Sequence, residues 1–100
     1  MEIRRTNKEL VKELVFNQYG DSILLTVTIN PEETWIVQTG YSWINYKYLG
    51  GEYISVSVKP KGGCCPFKTQ HGDISVISSS GEKYTINVIR KYDTKYENDF

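Results

Sequence analysis

The chain has 100 residues, and its twelve Lys and Arg balance its twelve Asp and Glu. That length makes one domain, with a compact radius of gyration of roughly 13 Å, able to bury a core without metals or disulfides but with little margin. Neutrality argues against a nucleic-acid binder, whose affinity comes from clustered Lys and Arg meeting phosphate, and no apolar run approaches the ~20 residues that span a bilayer.

The N-terminus opens with the basic pair Arg4 and Arg5. A secretion signal would follow with an apolar segment, but "TNKELVKEL" stands there instead. The sequence therefore reads as a chain made and kept in the cytosol, unless it is an excised domain. Thr6 and Glu9 fit a capping box, with Leu10, Val11 and Leu14 at helical spacing. A short helix competes here with an extended arm over residues 1–11. The arm carries Ile3, Leu10 and Val11, which a free monomer has little reason to expose, and this makes them candidate partner contacts.

From residue 14 onward a period of two dominates. "SILLTVTIN" sets Ile23, Leu25, Val27 and Ile29 on one face. "TWIVQ" sets Trp35 with Val37, so Trp35 is expected in the core. "YISVSVK" alternates Ile54, Val56 and Val58 against Ser55, Ser57 and Lys59. "DISVIS" and "YTINVIR" continue the pattern with Ile74, Val76, Tyr84, Ile86 and Val88. Polar second faces predict half-buried strands in antiparallel sheets with one wet side. The clusters "YGDS", "NPEE", "LGGE", "KPKGGCCP" and "SSSGEK" end the strands, since Gly supplies positive φ and Pro removes a donor. The sum is a β-sandwich or small barrel over residues 12–92, followed by a polar tail over 93–100.

Two Trp and four Tyr fall between Glu33 and Val56. Tyr46 and Tyr48 share a face, with Lys47 between them on the other. Tyr41, Tyr46, Tyr48 and Tyr53 are candidate contacts, because Tyr anchors protein interfaces and its ring also stacks on sugars. The alternative is plain cover for the sandwich edge.

Chemistry-bearing residues are sparse. Cys64 and Cys65 are adjacent, and Cα atoms ~3.8 Å apart suit no unstrained disulfide; two free thiols fit a reducing compartment. They are expected to be structurally dispensable. His71 is the only histidine. A Cys–His pair needs a base held within reach of the nucleophile, and a zinc site needs about four ligands with spaced cysteines. Glu32 and Glu33 occupy a turn, where nothing perturbs a carboxyl for acid–base work. No catalytic residue, cofactor or metal is therefore expected, and the chain is not read as an enzyme.

The order of these pieces resembles the BACON domain family, an immunoglobulin-like module of gut Bacteroidetes and their phages. The likeness runs from about Glu13 to Lys91. It rests on "LVFNQYGDSILLTVTI", on Trp35 and Val37, on Trp43 and Ile44, on "GGEYISVSV", and on "GDISVISSSGEKYTINVI". Gln70 stands roughly where the family often carries Arg, and Arg90 where it often ends in Gln. The resemblance implies an immunoglobulin-like antiparallel β-sandwich of about seven strands, with Trp43 in the core beside Trp35. It implies a non-catalytic module. With no secretion signal or catalytic neighbour in the sequence, the leading expectation is an auxiliary or decoration protein of a phage virion. Such a protein would be made in host cytoplasm and docked on a capsid or other virion protein, with no nucleic-acid or membrane partner. The alternative is a carbohydrate- or mucin-binding module meeting a surface glycan, secreted or on a cell surface if the chain is an excised module.

Overall fold

The computed structural model describes residues 1–17, 20–59 and 69–91. Every regular element among them is a strand. In chain order these are β1 (Glu2–Arg5), β2 (Glu13–Asn17), β3 (Asp21–Thr28), β4 (Trp35–Gln38), β5 (Ile44–Gly50), β6 (Tyr53–Val58), β7 (Gln70–Ser78) and β8 (Lys83–Lys91). The first sheet has the order β1-β3-β6-β5 and the second β2-β8-β7-β4. The chain is an all-β, immunoglobulin-like sandwich.

Alternation builds it as the sequence leads one to expect. Ile54, Val56 and Val58 point inward from β6, and Leu25 and Val27 do so from β3. They meet Ile74, Val76, Ile86 and Val88 of the second sheet in one buried cluster. Two details differ from expectation. Among the described residues the strands number eight where about seven were expected, and one pair, β2 with β8, is parallel. A parallel pair needs a long connection, and here the rest of the domain lies between the two strands.

The largest departure is at the N-terminus. The stretch expected as an arm or a helix is part of the sandwich. β1 pairs with β3, placing Ile3 opposite Val27, and Ile3 is 0% exposed. The chain then reverses. Lys8 takes a φ of 70°, the Arg5 N–H donates to the Glu9 carbonyl at 2.9 Å, and the Asn7 side chain accepts from the Glu9 N–H at 3.1 Å. Val11 returns alongside Ile3, its N–H donating to the Ile3 carbonyl at 2.9 Å, and is buried too. Ile3 and Val11 are thus core residues, not partner contacts; of the three candidates only Leu10 is exposed. The helix loses because it would forfeit the bond of Val11 to Ile3 and the pairing of buried Leu14 with β8. After Val11 the chain crosses to the second sheet as β2.

The Met1 ammonium pairs with Glu82 at 2.7 Å. Its pKa is raised, chiefly by the Glu82 hydrogen bond; desolvation opposes this, while the charges of Glu82, Glu2 and Glu33 add to it. A raised folded-state pKa means that the contribution is complete below the ordinary value of 8.0 and is lost as pH climbs through the raised one. The thermal midpoint of the parent should therefore fall further between about pH 7 and pH 10 than that of Glu82→Gln. Urea titration should show Ile3→Ala destabilised by about 2–5 kcal/mol. A variant lacking residues 1–11 should fail to fold; a cooperative melt from it would show that β1 is dispensable.

Candidate functional site

Strand parity divides the aromatic cluster into three groups. Tyr46 and Tyr48 lie on the face of β5 that carries buried Ile44. β5 is the edge of its sheet, so they sit at the open flank between β5 and β4. Tyr48 packs on Trp35 with centroids 5.4 Å apart and planes at 44°. Tyr46 meets Tyr48 edge-on at 5.8 Å and 83°. The Val37 N–H donates to the Tyr48 hydroxyl at 2.9 Å. Tyr53 alternates outward from β6, opposite Thr26 and diagonal to Leu24 across the β3 ladder, and near Leu49 at the irregularity before Gly50. All three are exposed.

Tyr41 and Trp43 form the third group, at the end of the sandwich, edge-on at 5.9 Å. Both Trp residues were expected in the core; both are only partly buried and pack against it. Trp35 opens an edge strand, and Trp43 sits in the turn before β5, so neither has sheet on all sides.

Beneath Trp43 lies Arg90, 7% exposed. Its guanidinium stacks 4.8 Å from the Trp43 ring centroid, donates to the Lys59 carbonyl at 2.9 Å and donates to the Gln70 side-chain oxygen. Its Nε has no partner among the described residues, and burial lowers its pKa. Gln70 and Arg90 are direct cross-strand neighbours. The two residues noted in the sequence as unlike the pattern it resembles are therefore partners in one hydrogen bond. The inward placement of Arg90 was not read from the sequence; the signal that could have given it is the period of two that puts position 90 on the face of Ile86 and Val88.

A groove of about 490 Å³ opens beside β4, lined by Val37, Gln38, Thr39, Gly40, Tyr46, Asp73, Ser75 and Lys83. Thr39 Oγ1 is occupied by the Asp73 carbonyl at 2.8 Å, and Ser75 by Thr85 at 3.1 Å. The side chains of Gln38, Asp73 and Lys83 make no hydrogen bond or ion pair among the described residues. Of the groove's lining only Tyr46 is among the candidate contacts named from the sequence; the rest are brought together by the pairing of strands far apart in the chain.

The remaining candidates are dispersed. His71 is exposed and lies two residues from Asp73 on β7. Cys64, Cys65 and the tail 93–100 lie outside the described residues. Glu32 and Glu33 cap a turn on Asn30, the Glu32 N–H donating to its side chain at 3.0 Å and the Glu33 N–H to its carbonyl at 2.9 Å. Among the described residues no group of three His, Cys, Asp or Glu is placed to hold a metal, and no helix is long and apolar enough to cross a membrane.

Fold and site together define an immunoglobulin-like sandwich with an aromatic flank. No family model matches the chain, and no curated protein does. Among solved structures it is similar to the Bacteroides ovatus GH5 xyloglucanase in complex with a XXXG heptasaccharide, with a TM-score of 0.64 and 21% identity. The likeness covers 91% of this chain and 19% of that one, so the chain spans about a fifth of the enzyme's length. At that identity the likeness is one of fold.

A Cβ at Gly72 would lie 3.0 Å from Ile44, Trp43 and Tyr41. Gly72→Ala should therefore push Trp43 off Arg90 and cost about 1–3 kcal/mol, read as a lower denaturation midpoint together with a red-shifted Trp emission.

Proposed function

We propose that the chain is a non-catalytic BACON-like module that docks on another protein, as an auxiliary or decoration protein of a phage virion. The observation that carries docking is the outward face of the first sheet. Leu24, Leu49 and Tyr53 are large, apolar and exposed there, on rigid strands that give a partner preordered anchors. Aromatic and aliphatic anchors of this kind supply most of an interface's energy. The virion setting rests on the family resemblance.

A second reading has its own support. The groove beside β4 offers an exposed ring, Tyr46, next to the free polar groups of Gln38, Asp73 and Lys83. Ring and polar groups side by side suit a sugar, and the similar fold occurs within a xyloglucanase. Against it, the Tyr46 and Tyr48 planes stand at 83°, so they form no shared flat platform.

The readings separate on different residues. Leu24→Glu with Tyr53→Glu should weaken saturable binding to capsids stripped of the chain by at least about thirtyfold, with the melting curve unchanged. Glycan arrays that include the XXXG heptasaccharide should stay blank. Specific glycan binding that is lost in Tyr46→Ala would replace docking by carbohydrate recognition.

A further inference from the structure

A sheet edge presents unpaired N–H and C=O groups and invites another strand, so proteins blunt edges with charges, proline, bulges or cover. Three of the four edges here are blunted. β1 carries Glu2, Arg4 and Arg5 and is flanked by the returning chain, with a bridge from Arg4 to Leu10. β2 carries Glu13. β5 carries Lys47 and breaks its register before Gly50. β4 is Trp-Ile-Val-Gln, with no charge and no proline, and its Ile36 is 52% exposed.

In an antiparallel ladder, alternate residues turn their backbone groups toward the neighbouring strand and away from it. β7 covers one side of β4. The Val37 N–H is instead taken by Tyr48, which reaches across from the other sheet. That donor therefore points to the open side. It is the group an incoming strand would use, and the Tyr48 hydroxyl already occupies it, held there by a ring braced between Trp35 and Tyr46.

We propose that β4 is a latent pairing edge for a second copy of this chain and that the Tyr48 hydroxyl guards it. The occupant it excludes is the β4 of another molecule, paired antiparallel about a two-fold axis. Such an axis opposes one uncharged Trp-Ile-Val-Gln strand to another, so no like charges meet, and the contact closes as a dimer. Tyr48 is thus a seal, and the docking anchors lie elsewhere, on the outward face of the first sheet.

Removing one oxygen tests this. Tyr48→Phe keeps the ring between Trp35 and Tyr46, so near-ultraviolet dichroism should match the parent. Its Val37 amide should exchange about tenfold faster at low concentration, and sedimentation over a concentration series should show mass above that of the parent. Adding Ile36→Lys to Tyr48→Phe should return the mass to the parent value. A folded Tyr48→Phe chain with the parent's mass throughout the series overturns the proposal, whatever its Val37 amide does. The unaltered protein supplies an independent check: a Val37 amide exchanging at the rate of an exposed one would also overturn it.

Discussion

Two packed sheets leave two open flanks, and in this chain a tyrosine hydroxyl ties each flank shut. On one side Tyr84, rising from the second sheet, donates to the Val11 carbonyl at 2.6 Å, and Val11 is itself bonded to Ile3 of the first sheet. On the other, Tyr48 of the first sheet accepts from Val37 of the second. One phenol donates and the other accepts, which a hydroxyl can do at either role. Both contacts lie where apolar packing thins and a backbone polar group would otherwise be half-dry and unpaired. The aromatic richness of the chain follows from this: phenols are long enough to bridge two layers and polar only at the tip.

The interior strands were legible because one rule governs them. β3, β6 and β8 each bury their apolar residues on one face, so the alternation of Ile and Val with Ser and Thr states both the strand and its orientation; β7 follows the same alternation although Ser75 is buried on its other face. The rule fails at both flanks. "KELVKEL" satisfies a helical pattern locally, and only the distant β3 makes Ile3 and Val11 worth burying as strand neighbours. Tyr46 and Tyr48 were recognised as sharing a face, but whether that face looks to solvent or to the gap between sheets depends on β5 being an edge, a fact of topology. Tyr53 follows them in sequence yet faces the other way, because on β6 it alternates with buried Ile54, the cross-strand partner of Tyr48. The groove was illegible for a similar reason. Gln38, Asp73 and Lys83 come from three strands, and nothing local marks them.

The separation of faces gives the functional reading its shape. The end and flank aromatics are engaged in holding the sandwich together, with their rings tilted against one another. The outward apolar residues of the first sheet have no such duty. In a domain this small, side chains that brace the fold have little freedom to adapt to a partner. Under the docking proposal, recognition would fall to strands that are already rigid.

Gln70 and Arg90 carry a consequence for how such a domain can change over time. Their hydrogen bond joins facing positions on β7 and β8, and the same guanidinium also stacks on Trp43 and reaches the Lys59 carbonyl. The cation is therefore tied to position 90. Exchanging the two residues would keep an amide–guanidinium pair but move the charge off Trp43 and leave the Lys59 carbonyl without its donor. Giving both positions the same residue sets two cations face to face, or two amides where Trp43 stacks on a cation. Substitution at position 70 or 90 is thereby conditioned on the other and on the ring above them, so these three positions are free to vary only together.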